Sequence, residues 1–191
     1  MTKRKPNRLK DYDYSQDGYY FVTICTKDRA ELFGNVEDNE MVLNQYGRTA
    51  EGFWKKMPIH FGGVEIDEFR VMPNHLHGIV IIRNELASHV GNAYMRSLQD
   101  RTKMLLSKTI QQHKASMSRR INSLQNALCF QWQKSFYDHI IRNEASLQHI
   151  RQYIVYNPLK WGLDIENRNN CSPHKNYSDY YEEIITGNKE P

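Results

Sequence analysis

Apolar and polar positions fall into two periods along the chain, with strand-like blocks early and longer helix-like blocks late. Residues 19–26 (YYFVTICT) are an unbroken run of aromatic and β-branched side chains introduced by Asp17-Gly18, and predict a buried strand. Residues 40–43 give a weaker strand signal. Residues 46–56 predict a helix that Met57-Pro58 ends, because proline disfavours helix in the residue before it. Val64 to Met72 (VEIDEFRVM) alternates as a half-buried strand does, and Pro73-Asn74 then bends the chain. His75 to Arg83 (HLHGIVIIR) resumes as a strand in which His75, His77, Ile79 and Ile81 share one face.

Residues 83–92 have no period and predict a loop. From Tyr94 to Leu124 a helical pattern sets Leu106, Ile110, Met117, Ile121 and Leu124 on one stripe, with Arg101, Lys108 and Arg119 opposite. Residues 129–139 read as a short strand or an irregular, aromatic-rich connection. Residues 143–156 predict a helix with Asn143 as its N-cap and Pro158 as its stop. The remainder is polar and Asn-rich, with one short helix expected near Tyr180 to Ile185. Early strands and late helices favour an α+β fold, an antiparallel sheet with helices packed on one face. At 191 residues one domain is expected, spanning residues 1–165 and followed by a polar tail, 166–191.

Charge changes this picture by its placement rather than by its total of +4. Lys3, Arg4, Lys5, Arg8 and Lys10 crowd the first ten residues without an acid. Between Asp100 and Asp138 stand Arg101, Lys103, Lys108, Lys114, Arg119, Arg120 and Lys134, again without Asp or Glu. A polyanion is the natural partner of such a field. No apolar run approaches the roughly 18 residues of a membrane span and no secretory signal is evident, so a cytoplasmic protein without a membrane partner is expected. Cys25, Cys129 and Cys171 are far apart and odd in number, which indicates neither a zinc ribbon nor a disulfide framework.

The sharpest chemical feature is His75-Leu76-His77. A two-residue spacing in a strand sets both imidazoles on one face, near enough to share a divalent ion while leaving coordination positions for a phosphate oxygen. HxH also occurs by chance, so the pair alone is a partial site. Tyrosine carries no weight by number, since there are twelve. In the helix 143–156, however, His149, Tyr153 and Asn157 stand four apart beside the apolar stripe of Leu147, Ile150 and Ile154. On spacing alone Asn157, which precedes Pro158, reads first as a helix cap and second as a metal ligand.

The string VMPNHLHGIVI, together with WQKSFYDHIIRNEASLQHIRQYIVYNPLKWG and the opening RLKDYDYSQDGYYFVTICTKDRAELFG, resembles the REP-associated tyrosine transposases, relatives of the insertion-sequence transposases that work on single strands. The resemblance covers about residues 5 to 165. It implies a ferredoxin-like α+β fold, a histidine-hydrophobe-histidine motif and one catalytic tyrosine four residues before an Asn-Pro pair. In this chain the motif is His75, Leu76 and His77, and the tyrosine is Tyr153 rather than Tyr156 or Tyr137. Asn157 is then the side chain expected to complete the metal site, with magnesium or manganese as the ion. The implied substrate is single-stranded or hairpin-forming repetitive DNA, cut to leave a phosphotyrosine and a free 3′-hydroxyl that can later rejoin. No general base is evident, and the resemblance leaves monomer and homodimer both open.

Lys114, Arg119 and Arg120 are the first candidates for phosphate contacts, with Lys103 and Lys108 behind them and Arg142 beside the catalytic helix. Trp132, Phe136 and Tyr137 are candidates for base stacking, weighed against ordinary core packing. Two rival readings stay open. One is a hydrolytic metal-dependent phosphoesterase with water as nucleophile; the other is a domesticated module that binds hairpins without cutting them.

Overall fold

The computed structural model describes residues 17–83, 92–124, 129–171 and 176–187, with the side chains of the long helix described from Leu105 onward. The basic arm, the loop expected between Arg83 and Asn92, and the Lys103 side chain lie outside the described residues.

Four strands form the main sheet: β1 Gly18–Cys25, β4 Val64–Val71, β5 His75–Ile82 and β6 Tyr137–Ile141. Between β1 and β4 lie a hairpin, β2 Gly34–Glu37 with β3 Glu40–Leu43, and two helices, α1 Gln45–Lys55 and α2 Met57–His60. Helix α3, Asn92–Leu124, links β5 to β6; α4, Glu144–Tyr156, and α5, Tyr177–Thr186, follow. The strand order is β4-β5-β1-β6 with every pair antiparallel. The connection from β1 to β4 therefore crosses over β5, and that from β5 to β6 crosses over β1, which is the ferredoxin-like arrangement. The α+β reading holds, with strand bounds within a residue or two of those expected. The connection at 129–139 is irregular as far as Phe136, and its strand begins at Tyr137.

The hairpin β2–β3 was only half visible in sequence. Its turn residues Asp38 and Asn39 both have positive φ, 49° and 64°, the conformation a tight hairpin demands and one that Asp and Asn tolerate.

Strand parity divides the interior. Tyr20, Val22, Ile24, Leu76, Val80, Ile82 and Ile140 face Trp54 of α1 and the stripe Leu106, Ile110, Met117 and Ile121 of α3, all buried. This is the helix-covered face that the pattern predicts. The other parity, Phe21, Ile79, Ile81 and Ile141, packs on Leu147, Ile150 and Ile154 of α4 and on Tyr180 and Tyr181 of α5. Helices thus cover both faces, which explains why β5 is buried from end to end rather than alternating. The segment after residue 165 belongs to this second layer, since Glu166 and Asn167 are buried and α5 packs on α4.

Two local devices fix the layers. A bulge in β4 between Ile66 and Phe69 turns out Asp67, whose Oδ2 accepts from Arg151 Nη2 at 2.6 Å and Nε at 3.0 Å, tying α4 to the sheet edge. Gly78 lets α1 lie close to β5, because a Cβ there would stand 2.6 Å from Phe69 Cβ and 2.9 Å from Trp54 Cζ2. His113 fills the layer behind, edge-on to Trp54 with ring centroids 5.3 Å apart.

Gly78→Ala should destabilise the fold by about 1–3 kcal/mol through overpacking, read as a lower urea midpoint at unchanged slope. Burial holds the His113 pKa down at about 4, below its ordinary value near 6.5. The unfolded state then binds the proton first, so this histidine's neutral form stabilises the fold above pH 6.5 and loses that contribution as pH falls towards 4. Between pH 7 and pH 5 the wild type should lose about 2 kcal/mol more than His113→Leu, measured by urea unfolding at both pH values.

Candidate active site

β5 begins at His75 directly after Asn74, and that asparagine orients the imidazole. The buried Asn74 amide donates from Nδ2 to the Glu166 carbonyl at 2.8 Å, so its Oδ1 is the atom that faces His75 Nδ1 at 2.9 Å. An acceptor at that place selects the tautomer with hydrogen on Nδ1, and the lone pair is left on Nε2. Among the described residues, His75 Nε2 is buried without a hydrogen-bond partner, and so are both ring nitrogens of His77. The two rings lie 4.8 Å apart, centroid to centroid. Burial pushes both histidine pKa values down, that of His77 further, with the neighbouring His75 and Arg70 adding to the effect. Both imidazoles are therefore neutral at pH 7, the form that ligates a metal.

Helix α4 brings the tyrosine to the same face. Asn143 caps it as expected, its Oδ1 accepting from Ser146 N at 2.8 Å. The half-buried Tyr153 ring lies 5.1 Å from the His77 ring and edge-on to Phe21 at 6.0 Å. Its hydroxyl donates to Asp164 Oδ2 at 3.1 Å and lies 3.3 Å from the Tyr180 hydroxyl. Burial above all, then Asp164 and Tyr180, raise its pKa well above the usual value near 10, so the phenol is protonated.

Asn157 does not act as a cap through its side chain. The chain runs on into a 3-10 turn, Pro158–Leu163, and the fully buried Asn157 amide donates from Nδ2 to Asp164 Oδ2 at 2.5 Å. Its Oδ1 is left buried and unpartnered. The structure thus assembles His75, His77, Tyr153 and Asn157 on one side of the sheet. Among the described residues no three His, Cys, Asp or Glu side chains converge as a ready-made metal cluster. The fitting donor set is mixed, two neutral imidazoles and an amide oxygen, and its orphaned lone pairs are what a divalent ion would satisfy.

Sequence reasoning missed the acids and bases around this set. Asp164, seven residues after Asn157 and beyond a proline, had no local period to reveal it; it is buried, and its second oxygen accepts from Glu166 N at 2.7 Å. Glu166, also buried, pairs with Arg29 Nε at 3.0 Å and accepts from the Tyr177 hydroxyl at 3.3 Å. Arg70 pairs with His77 across β4 and β5, so both side chains share a face, and its Nε is buried and unpartnered. Read simply as one polar position of an alternating strand, Arg70 gave no signal in the sequence.

The other expected contacts lie elsewhere. Lys108, Arg119 and Arg120 are exposed on α3, which packs on the sheet face opposite the histidines. Lys114 is engaged, donating to the Gln133 carbonyl at 2.6 Å and to that of Ser135 at 3.1 Å. Arg142 is exposed just past β6. Trp132 and Phe136 pack against the first core, while Tyr137 stacks on Tyr181 with centroids 4.0 Å apart. His149 turns to α5, its Nδ1 3.4 Å from the Ile185 carbonyl.

No family model matches the chain. It is 39% identical over 168 residues to an uncharacterized protein of Haemophilus influenzae, covering 84% of this chain and 91% of that one. A second Haemophilus influenzae protein, provisionally named a REP-associated tyrosine transposase, is 25% identical over 151 residues, or 78% of this chain and 75% of its own length. A solved structure of a REP-associated tyrosine transposase bound to a REP hairpin aligns with 85% of this chain and 75% of its own at 18% identity, with a TM-score of 0.47.

Arg29→Ala strands the buried Glu166 carboxylate and should cost about 2–3 kcal/mol at pH 7. Adding Glu166→Gln should return part of it. Urea unfolding of the single and double variants gives the comparison.

Proposed function

We propose that the protein nicks and rejoins single-stranded or hairpin-forming DNA through a covalent link to Tyr153, with magnesium or manganese held by His75, His77 and Asn157. The observations that carry this reading are the unpartnered, buried nitrogens of His75 and His77, the Tyr153 ring beside that of His77, and the Asn157 amide held by the same Asp164 oxygen as the Tyr153 hydroxyl, its own oxygen unpartnered. A protein that only binds DNA has no need to leave such lone pairs unsatisfied. The name of the Haemophilus influenzae relative adds a transposase-like role on DNA.

A bound divalent ion would polarise the scissile phosphate and stabilise charge on its oxygens. The chain's own residues do the rest. Tyr153 Oη forms the bond to phosphorus while the bond from phosphorus to the 3′-oxygen breaks. Its hydroxyl proton already points at Asp164 Oδ2, which takes it up and supplies the proton that the departing 3′-oxygen needs. In the reverse direction a DNA hydroxyl attacks the phosphotyrosine and reseals the strand, so bond energy is conserved. Arg70, on the face of His77, supplies a fixed positive charge for the phosphate. Because the phenol is held protonated by its buried surroundings, its proton has to pass to Asp164 as the bond to phosphorus forms.

Incubation of the purified protein with labelled single-stranded hairpins and manganese, followed by denaturing gels, tests the reading. Wild type should give a protein-linked DNA band, and Tyr153→Phe and His75→Ala should each lower it by at least 100-fold, the scale of losing a nucleophile or a metal ligand. Cutting that survives Tyr153→Phe would instead identify water as nucleophile. Binding with no cutting at all would favour a module that only recognises hairpins.

A further inference from the structure

The buried carboxylate of Asp164 touches both halves of the site through one oxygen. Oδ2 accepts from the Asn157 amide at 2.5 Å and from the Tyr153 hydroxyl at 3.1 Å, while Oδ1 is taken by the Glu166 backbone N–H at 2.7 Å. An ionised carboxylate accepts only; it cannot donate. Of the two ends of the Asn157 amide, only NH2 can face such an acceptor. The carbonyl end is thereby forced to the opposite side, where Oδ1 is buried and unpartnered. An amide has two chemically opposed ends of nearly equal size, and only the oxygen can serve a cation. Without a fixed acceptor behind it, Asn157 would spend part of its time presenting NH2 towards the metal position.

We infer that Asp164 is a positioning residue that sets the polarity of the Asn157 amide and so makes it a metal ligand, while the same oxygen holds the Tyr153 hydroxyl in register with it. The inference rests on the metal site proposed above. His75 is oriented in the same manner by Asn74, so each of these two donors has an acceptor behind it that leaves its lone pair facing the site. Asp164 does for an amide what a carboxylate behind a ligating histidine does for a ring.

The test is manganese binding by the DNA-free protein, followed by titration calorimetry and by the manganese electron paramagnetic resonance signal. Asp164→Asn keeps the shape but lets either amide end face Asn157, and affinity should fall 10–100-fold, the range typical of lost outer-shell partners. The double variant Asn157→Asp/Asp164→Asn restores a fixed pair with donor and acceptor exchanged. Its carboxylate at position 157 offers oxygen either way round, so affinity should return to within a few-fold of wild type. The single variant Asn157→Asp, with Asp164 intact, measures what the added carboxylate contributes by its charge alone, so the rescue is read against it, and circular dichroism melts verify that each variant is folded. Equal affinity in Asp164→Asn and wild type overturns the inference, and so does a double variant as weak as the single one. Wild-type binding no tighter than that of His75→Ala/His77→Ala removes the metal site itself, a result distinct from both.

Discussion

Two imidazoles and an amide oxygen sit in the interior of this protein without partners among the described residues, and the surrounding structure is arranged to sustain them. An unsatisfied buried polar group costs about 1–3 kcal/mol, so three of them are a substantial fraction of a domain's net stability. The cost is carried by burial on both sides of the sheet. Trp54, Phe33 and the α3 stripe close one face, while Phe21, the α4 stripe and Tyr181 close the other. A sheet covered on one side only would leave the histidine face wet, with water satisfying the same lone pairs. Cover on both sides is what keeps these groups away from bulk solvent.

Within that dry layer, orientation is enforced by groups that can act in only one hydrogen-bonding sense. Asn74 is committed by its Nδ2 to a carbonyl, which leaves its oxygen to fix the His75 tautomer. Asp164 accepts from three donors and so fixes both an amide and a phenol. Glu166, one residue removed, is neutralised by Arg29 and joins the first connection after β1 to the final helical segment through Tyr177. Segments distant in sequence are thus tied together through Glu166, whose backbone carbonyl also holds Asn74, and the segment after residue 165 becomes part of the site's scaffold.

The sequence made the strands, the long helix, the two histidines and the N-cap of α4 legible because each is a local pattern. Period two placed His75 and His77 on one face, and the Asn143 cap needed only its neighbours. The role of Asn157 was ambiguous for a physical reason: an asparagine before proline ends helices often, and the acceptor that engages its NH2, Asp164, lies seven residues further on. Asp164 itself became meaningful through a 3-10 turn that no hydrophobic period announces. The second helical layer was hidden likewise, because α5 is short and its Tyr180 and Tyr181 resemble surface aromatics until α4 is beneath them. Family resemblance selected Tyr153 among twelve tyrosines; periodicity had no means of doing so.

The position of the basic residues bears on how a polyanion reaches such a site. Lys108, Arg119 and Arg120 stand on α3, across the sheet from His75 and His77, and Lys114 is occupied with backbone carbonyls. A strand whose scissile phosphate lies at Tyr153 does not touch α3 without passing round a sheet edge. The α3 charges therefore act on it chiefly as a long-range field that raises encounter rates and is screened over about 8–10 Å at physiological salt. In the proposed reading, contact at the phosphate would fall to Arg70, which shares the histidine face and whose Nε is buried without a partner among the described residues. Attraction and chemistry are thus assigned to opposite faces of one sheet. Salt should weaken the first far more than the second, because Arg70 is half-buried at the histidine face while Lys108, Arg119 and Arg120 are exposed.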